Sequence, residues 1–302
     1  MLPKIIVVLG TTASGKSSLG IQLALRLNGE IVSADSRQVY RGLDIGSGKV
    51  TPAERALVPH HLLDVADVRT RFTVAEFQRL AFSCIADIST RGNVPLLVGG
   101  SGLYIRAIVD NPAYPVVEPR PELRAELERT PLPELAARLQ KLDPVAGASI
   151  DLHNPRRVVR ALEVTLATGV PFSAQRGSGA RRVDSLQLGL TWPREELRRR
   201  IEARVQDRMA AQPSMLDEVR GLLDAGVPAE RLLELGLEYR YLARFLLGEL
   251  GYEEMLRDLK HAIDQFAKRQ LTWFRRDPRI HWIEPTDLET ATRLAREFIG
   301  DR

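Results

Sequence analysis

Short apolar runs alternate with helical periodicities along the first hundred residues. Ile5–Leu9 is an unbroken, β-branched-rich run leading into Gly10-Thr-Thr-Ala-Ser-Gly-Lys-Ser17, after which Leu19, Leu23 and Leu27 recur at near-helical spacing. This predicts strand, loop and helix in that order. Glu30–Ala34 predicts a second short strand ending at Asp35-Ser36. Val74, Phe77, Leu80, Cys84 and Ile88 mark one face of an amphipathic helix over Thr73–Ile88. Val94–Val98 reads as a buried strand running into Gly99-Gly-Ser-Gly102. Strands alternating with helices predict an α/β fold: a parallel, P-loop-type sheet with helices on both faces.

The texture changes near residue 111. Residues 111–133 hold six prolines (112, 115, 119, 121, 131 and 133), and strand-like patterning stops. Helices are predicted over Pro133–Leu142 and Asn154–Thr168. The second has Asn154 as N-cap, Pro155 at its first position, and Gly169 and Pro171 as its stop. Gln175–Arg182 reads as a mobile polar loop and Leu186–Leu190 as a returning strand. The expected organisation is an α/β core of residues 1–111 and 184–302 with C-terminal helices, interrupted by a mostly helical insertion over 112–183. Residues 194–210 and 252–276 read as long helices. Tyr252, Leu256, Leu259, Ile263, Phe266, Gln270 and Trp273 form a stripe on the second, and Gln270, its polar member, needs hydrogen-bond partners if buried.

Composition adds exclusions. The chain has 302 residues, 44% hydrophobic and 27% charged, an ordinary globular balance. Cys84 is the single cysteine, which excludes an intrachain disulfide and a cysteine zinc cage. Ile5–Leu9 is too short for a secretory or membrane segment, so the expectation is a cytoplasmic protein with no membrane partner. Net charge is +4, divided as +3 over 1–111, +3 over 112–183 and −2 over 184–302. Arginine supplies 37 of the 43 basic residues. That bias fits phosphate recognition or merely an arginine-rich genome.

Gly10–Ser17 fits the pattern G-x-x-x-x-G-K-[ST], with a strand before it and a helix after it. Gly10, Thr11, Thr12, Ala13, Ser14, Gly15, Lys16 and Ser17 therefore form a candidate diphosphate cradle. Its backbone N–H groups turn inward, Lys16 adds charge, and the Ser17 hydroxyl can ligate Mg²⁺. An ATP-hydrolysing P-loop protein ends a core strand with a Mg²⁺-holding carboxylate, and Pro95–Val98 ends without one. Asp35 is the nearest strand-end acid. It reads either as a general base or hydrogen-bond acceptor facing the diphosphate, or as a helix N-cap. Arg156, Arg157 and Arg160 open a helix and suit a phosphodiester backbone, though on these residues alone a solvated basic face is the preferred reading. Arg198–Arg200, interleaved with Glu195, Glu196 and Glu202, reads as solvated, and Arg204 follows on the same helix. His60-His-Leu-Leu-Asp64 superficially suggests metal ligands, but five histidines without a supporting acid cluster favour a structural role.

These residues, taken in order, resemble the bacterial tRNA dimethylallyltransferases (tRNA isopentenyltransferases) along nearly the whole chain. The matching pieces are Gly10–Ser17, Ser33-Ala-Asp-Ser-Arg-Gln-Val-Tyr-Arg-Gly-Leu-Asp-Ile-Gly46, Pro59-His-His-Leu-Leu-Asp64, Val74-Ala-Glu-Phe77 and Leu97-Val-Gly-Gly-Ser-Gly-Leu-Tyr104. Arg156–Val164 and Ala267-Lys-Arg-Gln-Leu-Thr-Trp-Phe274 complete the set.

The resemblance implies transfer of a dimethylallyl group from its diphosphate to N6 of adenosine 37 of tRNA, with Mg²⁺ as cofactor and tRNA, through its anticodon stem-loop, as partner. It implies catalytic roles for Asp35, Thr12, Lys16 and Arg204. It implies tRNA contacts at Asp35, Ser36, Arg37, Gln38, Ser101, Arg124, Arg156, Arg157, Val158, Val159, Arg160, Tyr239 and Arg240. The chain departs from the family pattern at Thr11, Ser47–Val50, Ser101, Glu238 and Gln212–Ser214. Three alternatives stand beside this reading: a small-molecule P-loop kinase, an adenylate isopentenyltransferase, and an RNA-binding module with a degenerate P-loop. Nothing in the sequence demands an oligomer, and a monomer is expected.

Overall fold

The structure, a computed structural model, describes residues 2–115, 120–175, 177 and 179–300. Pro119 and residues 176 and 178 of the expected polar loop lie outside them. The chain divides into two compact units, Met1–Val109 with Arg182–Arg302, and Asp110–Arg181.

The first unit begins with β1 (Lys4–Gly10), α1 (Lys16–Leu27), β2 (Gly29–Ser33), α2 (Pro52–Leu57), β3 (His60–His61), α3 (Val74–Thr90), β4 (Val94–Gly99) and α4 (Gly102–Val109). The second unit holds α5 (Pro121–Arg129), α6 (Leu132–Leu142), α7 (Pro144–Ser149) and α8 (Pro155–Thr168). The first then resumes with β5 (Asp184–Leu190), α9 (Arg194–Ala210), α10 (Met215–Asp224), α11 (Ala229–Leu235), α12 (Leu237–Leu246), α13 (Tyr252–Phe274), β6 (Ile280–Ile283) and α14 (Leu288–Ile299).

Among the described residues the strands form one sheet in the order β3-β2-β4-β1-β5-β6. Every neighbouring pair is parallel. Ile5 to Leu9 are each 0% exposed, which is why β1 reads as an unbroken apolar run rather than an alternation. Ile6 and Val8 pack with Leu96 and Val98 of β4, Leu19 and Leu23 of α1, and Ala291 and Ala295 of α14. By alternation Ile5, Val7 and Leu9 face the other side, where α3 and α13 lie against the sheet. The fold is thus the α/β sheet, covered on both faces, that the periodicity predicts. Because all strands run parallel, the segments after β1, β2, β4 and β5 emerge at one carboxyl edge, where open α/β sheets bind ligands.

Local signals explain the helix ends. Thr73 caps α3 in a capping box with Glu76. Asn154 caps α8 by accepting from Arg157 N–H, and Gly169 (φ 70°) closes it in the left-handed conformation. The stripe on α13 differs from expectation. Met255, Leu259, Ile263, Ala267, Gln270 and Phe274 are buried, whereas Tyr252 is 42% and Trp273 37% exposed. Ranking positions by apolarity passes over Ala267, which is 1% exposed.

Leu127, Leu135, Leu139, Val158, Val159 and Leu162 form the core of the second unit. Asp143, 1% exposed, accepts from Ala146 N–H and from both the N–H and hydroxyl of Ser173. Burial opposes its ionisation, but those bonds hold its carboxyl below the usual carboxylate range. Among the described residues no helix is long and apolar enough to cross a membrane.

Candidate functional site

The Gly10–Ser17 loop takes its shape from backbone constraints. At Gly10 (φ 158°) a Cβ would stand 2.5 Å from Leu190 O, so any side chain would collide with β5 backbone. Ala13 (φ 59°) and Gly15 (φ 94°) take left-handed conformations. Trp192 Nε1 donates to Ser14 O at 3.1 Å, and Arg200 Nε donates to Ala13 O at 3.0 Å. The Arg200 guanidinium lies over the Trp192 ring at 4.7 Å, bracing both donors. Since a trans peptide sets C=O and the next N–H on opposite sides, tying these carbonyls outward turns the Gly15 N–H inward, beside the first-turn amides of α1. Arg200 is therefore not solvated, as its glutamate-rich surroundings suggest, but part of the loop's support.

Gln270 finds the partners that a buried amide needs. Its Oε1 accepts from Thr12 N–H at 2.9 Å and its Nε2 donates to Gly100 O at 2.8 Å, stitching the P-loop to the segment after β4. The Thr12 amide is thus engaged by the protein and is not one of the inward-facing donors. Gln270→Leu strands two buried backbone groups and is expected to lower the unfolding free energy by about 2–5 kcal/mol. Urea denaturation checks this, and unchanged stability would contradict the stitching role.

Lys16 in the loop is joined by Arg204 and Arg208, which line a pocket with Thr12 and Ala13, while Arg37 acts on Asp35 beside them. Lys16 Nζ is 3.3 Å from Thr11 O. Burial pulls its pKa down to about 8, with Arg204 and Arg208 adding to the drop and Asp35 opposing it. On α9, Arg204 and Arg208 converge on Gly48, where a Cβ would stand 3.1 Å and 1.8 Å from their respective Nη2 atoms. Arg208 Nη1 donates to Gly46 O at 3.0 Å. Burial, followed by repulsion from Arg204, brings the Arg208 pKa down to about 10. Burial lowers Arg37 and Arg204 as well, and Asp35 partly restores both. A group of cations weakened by desolvation, two of them (Lys16 and Arg208) also by cationic neighbours, is a site arranged for an anion. Arg208 is a site residue that the motifs do not mark, although 200, 204 and 208 repeat every four residues along α9 and that spacing could have found it.

Asp35 follows β2 at the carboxyl edge. Its Oδ1 accepts from Arg37 N–H at 2.8 Å and Gln38 N–H at 3.4 Å, so it caps the turn after β2. Among the described residues its hydrogen bonds are at Oδ1, and capping does not exclude chemistry at Oδ2. Ser101 Oγ accepts from Ser36 N–H at 3.0 Å and contacts Ser36 Oγ at 3.3 Å. The Gln38 amide is spanned by Ser33 Oγ at 3.0 Å and Gly48 O at 3.1 Å. The guanidinium groups of Arg37 and Arg240 both lie near Gly236, and Arg240 Nε donates to Leu233 O.

Tyr239 is not placed for surface contact. It is 1% exposed and its hydroxyl donates to Glu218 Oε1 at 2.9 Å, burial holding its pKa far above the ordinary phenol value. Glu218, which no motif in the sequence marks, also accepts from the N–H groups of Asp44, Ile45 and Gly46. Tyr239 and Glu218 are scaffold for the 44–48 turn that meets Arg208 and Gln38. A phenol's apolar ring and polar tip suit either burial or recognition, so residue type alone does not decide between them.

In the second unit, Val158 and Val159 are 0% and 3% exposed, and their side chains serve its core rather than a surface. Arg156 and Arg157 are exposed. Arg124 and Arg160 both pair with the buried Glu163, at 3.5 and 3.0 Å. Away from these sites, His61 Nε2 lies 2.7 Å from Glu30 and His60 Nδ1 2.7 Å from Val58 O. Burial would raise Glu30, but hydrogen bonds from Arg91, Asn93 and His61 bring it to about 2. Among the described residues no group of three or more His, Cys, Asp or Glu is placed to hold a metal. The P-loop instead offers hydroxyls: Ser17, and the buried Thr11 Oγ1 and Ser14 Oγ, which have no hydrogen-bond partner among the described residues. Hydroxyl and phosphate oxygens are the hard donors that suit Mg²⁺.

A model of the IPP transferase family matches residues 38–277. A tRNA dimethylallyltransferase of Roseiflexus sp. (strain RS-1) is 45% identical, covering 99% of this chain and 99% of that protein. One from Thermobifida fusca (strain YX) is 48% identical over 92% of this chain and 89% of that protein. Among solved structures, the tRNA isopentenylpyrophosphate transferase of Bacillus halodurans is 37% identical with a TM-score of 0.71, covering 98% of this chain and 95% of that one. A eukaryotic dimethylallyltransferase described as acting on tRNA has a TM-score of 0.83 at 28% identity, covering 99% of this chain and 80% of that one.

Proposed function

The chain belongs to the IPP transferase family, and from that premise we propose that it transfers the dimethylallyl group of dimethylallyl diphosphate to N6 of adenosine 37 in tRNA, releasing diphosphate. The observation that carries this reading is the placement of Arg204 and Arg208 in one pocket with Thr12 and Ala13 of the P-loop that holds Lys16, at the same sheet edge as Asp35. The allylic C1–O bond breaks and a C1–N6 bond forms. Negative charge collects on the leaving diphosphate, where Lys16, Arg204, Arg208 and the inward loop amides stabilise it. Asp35 orients the adenine amine through its carboxylate and accepts the N6 proton as that bond forms. Thr12 lines a small pocket with Arg204 and Arg208, and in this reading its side chain borders the reacting carbon. Ser17 would hold Mg²⁺ against the diphosphate, which supplies charge neutralisation of the leaving group when bound.

The adenosine must leave its stack to reach a site at the sheet edge. Asp35, Ser36, Arg37, Gln38, Ser101 and Arg240 form its surroundings, while Arg124, Arg156, Arg157 and Arg160 meet the anticodon stem-loop backbone. The working compartment is the one that holds tRNA, the cytoplasm, and the working form a monomer. Removing one cation that neutralises a phosphate reduces the salt slope of RNA binding by about 0.7–0.9. Arg157→Ala is therefore expected to weaken tRNA binding and flatten log Kd against log salt by about that amount. An unchanged slope would make Arg157 part of an ordinary solvated face.

Radiolabelled dimethylallyl diphosphate, incubated with unmodified tRNA, AMP or ATP plus Mg²⁺, tests the reaction class. Label is expected in tRNA alone. Label on AMP would indicate a nucleotide-modifying enzyme, and ATP hydrolysis in its place a kinase.

A further inference from the structure

Glu238 stands among the arginines that the reaction assigns to diphosphate. It lines the same small pocket as Thr12, Ala13, Arg204 and Arg208. Its Oε1 is 3.8 Å from Arg208 Nη1, with the two side chains only 13% and 16% exposed. At that distance the pair is an ion pair without a hydrogen bond, and Arg208 Nη1 spends its bond on Gly46 O. The carboxylate thus supplies charge but little bonding. It also favours the charged forms of Arg37, Arg204 and Arg208 against the burial that discourages them.

The backbone delivers Glu238 to this place with some strain. Gly236 (φ 75°) and the non-glycine Leu237 (φ 45°) both have positive φ, and Glu238 then falls in the first turn of α12. A carboxylate there is favoured by the helix N-terminus whether or not an arginine faces it. Its charge is tolerated in both situations.

We propose that Glu238 is a built-in counter-anion of the diphosphate site, holding the arginine cluster together when the site is empty and giving the cations up to diphosphate when it arrives. This rests on the reading of the P-loop as a diphosphate site. A diphosphate offers Arg204 and Arg208 charge-assisted hydrogen bonds that Glu238 does not, so it wins the exchange. The carboxylate still repels the bound anion, which weakens retention of the product diphosphate and favours its release.

Isothermal titration of the full-length protein with inorganic diphosphate and Mg²⁺ tests this, using the parent, Glu238→Gln, Glu238→Ala and Lys16→Met. Removing one like charge at this range is expected to tighten diphosphate binding about tenfold in both Glu238 variants. Their affinity should also fall more steeply with salt, since the site becomes more positive, and product inhibition by diphosphate should strengthen in proportion. A carboxylate that merely positioned Arg208 would give weaker binding on removal, and a bystander would give no change. Either outcome, with the parent still binding in a Lys16-dependent manner, overturns the counter-anion role alone. Failure of the parent to bind, or binding indifferent to Lys16→Met, overturns the diphosphate-site reading with it.

Discussion

Asp35→Asn is expected to slow dimethylallyl transfer by about 10²–10⁴-fold, the range for removal of a general base. Folding stability should change little, and diphosphate affinity should not fall, since the substitution removes a negative charge that acts on Lys16 and Arg204. The asparagine Oδ1 can still accept from Arg37 and Gln38 N–H, as the aspartate Oδ1 does at 2.8 and 3.4 Å. What the substitution removes is the negative charge and the capacity to take a proton from the adenine amine. Asparagine therefore separates chemistry from capping, which alanine cannot do. Asp35→Ala should show the same drop in rate together with a stability decrease of about 1 kcal/mol from the lost hydrogen bonds to the turn. Single-turnover transfer rates beside thermal melts of the two variants distinguish the roles. A near-normal rate in Asp35→Asn would reduce Asp35 to a cap.

Lys16→Met is expected to reduce kcat/KM by about 10²–10³-fold, the cost of removing one preorganised charge from a leaving group. The lysine also carries a pH signature. Its pKa is pulled down to about 8, chiefly by burial. Below that value the ammonium is charged and holds the anion, and above it the site loses one positive charge. Diphosphate affinity of the parent should thus decline as pH rises through about 8, by at most about tenfold per unit. In Lys16→Met the decline attributable to this group should be absent. Titration with diphosphate at pH 7, 8 and 9 reads both effects, and identical profiles for parent and variant would exclude Lys16 from the diphosphate site.

The parts legible in the sequence are those with local causes. The Gly10–Ser17 loop announces itself because its glycines answer a backbone requirement within eight residues, and the Asn154 cap and Gly169 stop are equally local. Gln270 is legible as a problem, a polar residue in a buried stripe, though not as its solution, because Thr12 and Gly100 lie far away in sequence. Tyr239, Val158 and Val159 are misplaced by their motif positions for a related reason. A motif position says that a residue matters, but whether it touches a ligand or props up one that does is decided by packing. Tyr239 props up the 44–48 turn through Glu218, and the two valines hold α8 in its unit's core. The arginines of α9 form an intermediate case. Their spacing of four puts 200, 204 and 208 in one row, yet the glutamates between them give the segment a solvated look. The shortest elements, such as β3 and α7, have too few residues to show any period.

The most direct test of the proposed activity is mass-spectrometric mapping of ribonuclease fragments from an unmodified tRNA incubated with the protein, dimethylallyl diphosphate and Mg²⁺. A five-carbon increment is expected on the fragment that carries adenosine 37, and it should vanish when that residue is replaced by guanosine. An increment at another position, or an unmodified tRNA under conditions where the protein binds both substrates, would contradict the assignment.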